Sequence, residues 1–178
     1  MSVHDEATVA EWLRRICGNE GGFQADPNDR GNWTGGQLGK GLLLGTKWGI
    51  SAAQYPGLDI KNLTVDRACE IYTRDYLLPL NSEQFEDGLA YQLLDAAVHS
   101  GVPAASRMLQ RAVGVADDGD VGAVTRAAVA LRSESDLIML FLSERLDYLS
   151  RLSAWASYGA GWARRIAKNL RYGAEDSD

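Results

Sequence analysis

"VAEWLRRICGNEGGFQADPNDRGNWTGG", residues 9–36, passes from a helical pattern into a loop without a break. Val9, Trp12, Leu13, Ile16 and Cys17 recur at i, i+3, i+4, i+7 and i+8, which marks one face of an amphipathic helix starting near residue 7. The pair Gly21-Gly22 is the expected stop, because glycine adopts helix C-terminal geometry without a steric penalty. The segment beyond that pair is too polar and too rich in glycine to be core. Residues 30–49 carry seven glycines and read as a long loop or a small β-hairpin. Loops of this length inside a compact domain are uncommon and are often functional.

Outward from this stretch the pattern is helical. Thr64 is placed to cap a helix whose inner face is Val65, Ala68, Cys69, Tyr72 and Tyr76, stopping before Pro79. "GLAYQLLDAAVHSG", residues 88–101, is apolar on nearly every side and reads as a buried central helix. Pro103 opens a helix that Gly114 closes, with Met108, Leu109, Ala112 and Val113 inward. After the loop "VADDGDVG" come a short Ala/Val helix, a long helix over about 135–154, and a last one near 162–172. That last helix carries Arg164, Arg165, Lys168 and Arg171, read as a solvated face or as a contact for anionic wall polymers or lipid head groups. Residues 173–178 are expected to form a frayed acidic tail. The expected fold is mainly α, with one elaborate glycine-rich segment after the first helix.

The 178 residues suit one compact domain, or one domain with a small lobe, able to bury a core without metal or disulfide. A net charge of −6 argues against nucleic acid, which selects a basic face. Cys17 and Cys69 fall on apolar helix positions and read as free buried thiols. With only His4 and His99 and no Cys-x-x-Cys, no metal or other cofactor is expected; "DDGDVG" lacks the alternate acids and terminal Glu of a calcium loop. The N-terminus has no secretory signal, and no apolar run reaches the ~18 residues of a membrane span. Synthesis in the cytoplasm, no stable membrane insertion and a monomeric state are the expectations. On the central helix, Asp95 and His99 lie one turn apart and read as a buried structural pair.

The junction in the opening stretch is where chemistry concentrates. Glu20 lies four residues past Ile16 and eight past Trp12, so it continues the buried stripe. Apolar neighbours and the negative end of the helix dipole both disfavour its charged form, which suits a general acid. Asp26 and Asp29 sit in polar loop surroundings that favour ionisation. A buried acid facing a solvated carboxylate is the arrangement of glycoside hydrolysis. The plainer alternatives are an arginine-paired helix-end carboxylate for Glu20 and turn formation for the two aspartates. Trp33 and Trp48 are candidates for sugar stacking or for anchoring the loop on the core.

"NEGGFQADPNDRG" followed by "GTKWGIS" resembles the signature of glycoside hydrolase family 108, the phage and bacterial N-acetylmuramidases. Glu20, Gly21, Gly22 and Phe23 match its Glu-Gly-Gly-aromatic run, and Asp26, Pro27 and Asp29 its Asp-Pro-x-Asp loop. Thr46, Gly49, Ile50 and Ser51 match its Thr-x-x-Gly-Ile-Thr/Ser strand. The chain departs from many members by inserting "NWTGGQLGKGLLLG", so either Thr34 or Thr46 could face substrate; Thr46 keeps the Gly-Ile context. "LLDAAVHSG", "LQRAVGVADDGDVGAVT" and "GAGWARRI" resemble the family's C-terminal peptidoglycan-binding region. The resemblance implies a lysozyme-like lobe over residues 7–89 and a helical peptidoglycan-binding lobe over 90–172. It further implies that Glu20 protonates the glycosidic oxygen, Asp29 (with Asp26 in reserve) supports the sugar cation or its attacking water, and Thr46 holds that water. Peptidoglycan strands would be the substrate, cleaved between N-acetylmuramic acid and N-acetylglucosamine. An endolysin released through a holin pore fits a chain without a signal. A lytic transglycosylase using the same Glu, or a non-catalytic wall-binding protein, are the alternatives.

Overall fold

The computed structural model describes residues 4–17 and 22–176. It divides into two compact units, His4–Thr73 and Arg74 onward. In the first unit, helix α1 (Glu6–Cys17) buries Val9, Trp12 and Leu13, the stripe read from the sequence. It packs against α2 (Val65–Tyr72), which buries Ala68, Cys69, Ile71 and Tyr72. The Thr64 hydroxyl caps α2 by accepting from the Arg67 N–H at 3.2 Å. Cys17 and Cys69 form no disulfide with each other; Cys69 is buried, and Cys17 partly so. His4 lies against the Trp12 ring, with centroids 4.9 Å apart.

Between these helices runs the glycine-rich segment, and its regular part is a two-strand antiparallel hairpin. Strand β1 (Thr46–Lys47) pairs with β2 (Ile50–Ser51), Thr46 opposite Ser51. The turn residues Trp48 and Gly49 both have positive φ (53° and 72°), the pattern of a type I′ hairpin turn. Gly49 is required twice over. Its φ disfavours side chains, and a Cβ there would lie 2.5 Å from the Tyr72 hydroxyl.

The second unit is all helical among its described residues. α2 leads into a wide π-helical turn (Thr73–Leu77) and a short 3₁₀ turn through Pro79. Then come α3 (Asp87–Ser100), α4 (Val102–Val113), α5 (Ala123–Val129), α6 (Glu134–Ser150) and α7 (Trp155–Asp176). α3 is the central helix: every residue from Gly88 to Ala97 is buried, and α4, α6 and α7 pack around it. α3 lies whole within this unit, which begins at Arg74. α4 has Pro103 in its first turn and ends at Gly114 in the left-handed conformation (φ 78°), as its sequence dictates.

The C-terminal reading needs correction. The long helix stops at Ser150, and the last begins at Trp155 and runs to Asp176, so 173–176 are helical and not frayed. Gly173 is buried there, packed so closely that a Cβ would lie 2.6 Å from Ile138 of α6. Helix contact with a neighbour, invisible to composition, extends the helix through the tail.

Candidate active site

The segment from Phe23 to Ser51 is organised by backbone pairing and two amides. Gln24 and Thr46 exchange backbone hydrogen bonds (2.9 and 2.8 Å), fastening the acidic loop beside β1. Asp26 closes an Asx turn: its Oδ1 accepts from the Asn28 N–H at 2.9 Å and from Asn28 Nδ2 at 3.1 Å. Asp29 starts the 3₁₀ turn Arg30–Asn32, where its Oδ1 accepts from the Gly31 N–H at 2.8 Å. Both aspartates are exposed. Turn chemistry therefore occupies one oxygen of each.

Asn32, fully buried, is the hub. Its Nδ2 donates to Gln24 Oε1 (2.8 Å) and to the Asp26 carbonyl (2.9 Å). Its Oδ1 accepts from Gln24 Nε2 (3.1 Å) and from the Thr46 hydroxyl (2.7 Å). Gln24 Nε2 also reaches Asp29 Oδ2 at 3.4 Å. Asp29 and Thr46, seventeen residues apart in sequence, thus join one network through Gln24 and Asn32. Asp26 enters that network through its backbone, while its carboxylate turns to Asn28.

The other candidates lie around this hub. Thr34 Oγ1 accepts from the Leu42 N–H at 2.9 Å and closes the inserted loop on itself. A Cβ at Gly41 would collide with that hydroxyl, which explains the glycine. Trp33 is half-buried and its indole donates to the Pro27 carbonyl at 2.9 Å, pinning the Asp-Pro loop. Trp48 is half-buried too; its carbonyl accepts from the Tyr72 hydroxyl at 2.9 Å, and its buried indole nitrogen has no hydrogen-bond partner among the described residues. Glu20 lies outside the described residues, between Cys17 and Gly22.

The Glycosyl hydrolase 108 family profile matches residues 13–101, from within α1 to the end of α3. The chain belongs to glycosyl hydrolase family 108. Among solved structures it is similar to SagA of Brucella abortus, with 29% sequence identity and a TM-score of 0.76 over 97% of each chain. No curated protein sequence matches it. This family 108 chain is therefore a glycoside hydrolase with a mainly α, lysozyme-like fold. No helix among the described residues is long and apolar enough to cross a membrane.

Gln24 and Asn32 escaped the sequence reading because isolated loop amides carry no periodic signal. Their one trace is position, each adjoining an Asp-Pro-x-Asp motif. Three further readings change in the second unit of this family 108 chain. Asp95 is buried as expected, but its partners are Arg145 (2.6 Å), Arg165 (2.5 Å) and Asn169 (2.7 Å), not His99. Burial alone would raise its carboxyl; the two guanidinium groups and the Asn169 amide outweigh that and hold it at about 2. His99 instead sits edge-on to Trp162, its ring 5.6 Å away, and burial followed by the nearby guanidinium charges lowers its pKa. Arg165 thus turns from the basic stripe of α7 to the interior.

The "DDGD" loop is closed by Gln110, buried on α4, whose amide holds Asp118 Oδ1 (2.6 Å), the Asp120 carbonyl (2.9 Å) and the Gly119 N–H (2.7 Å). A cavity of about 390 Å³ lies at the start of α3, lined by Phe85, Leu89, Arg126, Arg132, Glu134 and Leu137 among others. There Glu134 Oε1 accepts from the Leu89 N–H at 3.0 Å and caps α3, a service its own flanking Glu86 does not perform. Burial raises the Glu134 pKa against the pull of that backbone bond.

Proposed function

We propose that this family 108 chain hydrolyses the β-1,4 bond between N-acetylmuramic acid and N-acetylglucosamine in peptidoglycan, with Glu20 as general acid. The observation that carries this reading is the Gln24–Asn32 hub, which ties Asp29 and Thr46 together immediately after the Glu-Gly-Gly run. Glu20 gives its proton to the glycosidic oxygen as the bond to the anomeric carbon breaks, leaving positive charge on the sugar ring. Asp29, exposed at the loop, offers Oδ2 to that charge or to the proton of the incoming water. Because the Thr46 hydroxyl hydrogen is committed to Asn32 Oδ1, its oxygen presents lone pairs and accepts a hydrogen from that water. Trp33 and Trp48 flank the loop as sugar-contacting surfaces, and the second unit serves as the wall-binding part. The biological setting that suits this chemistry is an endolysin stored in the cytoplasm and released through a membrane pore onto the wall.

The test is digestion of purified sacculi followed by mass spectrometry. Reducing muramic ends are the expected product; anhydro ends would replace hydrolysis by transglycosylation. Glu20→Gln should lower lysis to under a tenth of wild type with an unchanged circular dichroism spectrum. Lysis above that level in a folded variant would remove Glu20 from the role, and a blank zymogram for wild type would leave a binding protein.

A further inference from the structure

The cavity at the start of α3 holds charges that the protein leaves unmatched. Its volume of about 390 Å³ suits a small molecule. The floor is core, since Phe85, Leu89, Val129 and Leu137 all belong to the buried apolar cluster of the second unit. Beside that floor stand two cations, Arg126 of α5 and Arg132 of the turn before α6, and two anions, Glu86 and Glu134. No guanidinium nitrogen of either arginine comes within 4.0 Å of a carboxylate oxygen among the described residues. Arg126 Nη1 donates instead to the Val121 carbonyl at 3.0 Å, and Arg132 Nη2 to the Val113 carbonyl at 3.4 Å. A neutral carbonyl fixes a guanidinium in place without neutralising it, and most of each five-donor fork stays uncommitted.

Glu134 is in the converse state. Its Oε1 accepts from the Leu89 N–H, and its other oxygen remains an acceptor. Burial raises its pKa, and the carboxylates of Glu86 and Asp176 raise it further. Ions beside an apolar wall give up hydration, a loss that only a partner repays. One ligand bearing both charges supplies both missing partners; a simple anion or cation supplies only one.

We propose that this cavity binds a small zwitterion of the amino-acid class, an apolar α-amino acid or short peptide. Its carboxylate meets the forks of Arg126 and Arg132, its ammonium meets Glu134 and Glu86, and its side chain lies on Phe85, Leu89 and Leu137. Guanidinium forks match carboxylate geometry, and the apolar floor selects an aliphatic body over a polar one. Recognition here is of two charges and not of sugar, and it is independent of the proposed hydrolysis.

The experiment titrates the full chain with L-leucine and with the dipeptide leucyl-leucine, by calorimetry and by the ligand-induced rise in melting temperature. Both should bind, and the tighter of the two tells free amino acid from peptide as the natural class. Isocaproate, which lacks the ammonium, and isoamylamine, which lacks the carboxylate, should bind at least about tenfold more weakly, the scale of one lost charge-assisted hydrogen bond. Glu134→Gln keeps an oxygen for the Leu89 N–H, so the fold should hold while leucine affinity falls about tenfold and isocaproate affinity does not. Arg132→Gln, at an exposed position, should weaken leucine and isocaproate together. The uncharged N-acetylglucosamine tetramer should not displace leucine. No binding of either zwitterion at about 10 mM, isocaproate binding as tightly as leucine, or displacement by the tetramer would overturn the site. So would leucine affinity within twofold of wild type in both variants.

Discussion

Asn32 makes four side-chain hydrogen bonds while fully buried, so its chemistry can be judged atom by atom. Both amide hydrogens and both acceptor positions are used. Asn32→Ala should therefore cost about 1–3 kcal/mol, since the groups it served are left without partners. Asn32→Asp should be no rescue, because a carboxylate cannot donate to Gln24 Oε1 or the Asp26 carbonyl. Thermal melting and turnover per folded molecule, read on the same samples, check this. In the same assay Thr46→Ala should lower turnover more than Thr34→Ala, and Asp29→Asn more than Asp26→Asn. Thr46 and Asp29 share the hub; Thr34 and the Asp26 carboxylate serve local turns. The opposite order would move the water site into the inserted loop. Of this network, Thr46 and the aspartates were legible as motif positions. The two amides joining them were not, because a loop side chain's partner is set by where the chain returns.

At the scale of elements, local rules worked wherever the signal was local. Thr64 caps α2 and Gly114 ends α4 because each needs only its own turn of backbone. They failed where a terminus borrows from a distant residue. α3 begins after Glu86, a poor cap, and Glu134 satisfies its Leu89 N–H from forty-five positions away. Glu134→Ala should destabilise by about 1 kcal/mol in chemical denaturation, and Glu86→Ala by little. Equal effects would show that the long-range cap contributes nothing. Likewise α7 starts at Trp155, seven residues before the sequence placed it, because Gly159 admits the Trp155 ring against the helix. Glycine at that spacing reads as a breaker until its neighbour is known.

Over the whole molecule, the Asp95 cluster joins three helices of the second unit, α3, α6 and α7. Its carboxyl is held at about 2 against an ordinary 3.8, so it favours the folded state wherever it is ionised. The folded value is the lower one. The stabilisation is therefore complete above about pH 4 and disappears as pH falls through 2, a loss on the order of 2 kcal/mol. Denaturation curves at neutral, mildly acid and strongly acid pH should show that loss. Asp95→Asn should be destabilised at neutral pH, by roughly 3–5 kcal/mol, because Arg145 is then buried uncompensated. A variant as stable as wild type at neutral pH would make the cluster energetically idle. The sequence by itself determined the helical class, most helix faces, the hairpin segment and the family 108 motifs. These arise from periodicity and from glycine and proline chemistry within a few residues. Only the tertiary structure decided that Asp95 meets Arg145 and Arg165 instead of His99, that Asn32 and not a motif residue anchors the candidate site, and that α7 reaches Asp176. Those outcomes depend on pairings across tens of residues, where desolvation makes a buried charge or amide take the partner that packing brings, whatever stands beside it in the chain.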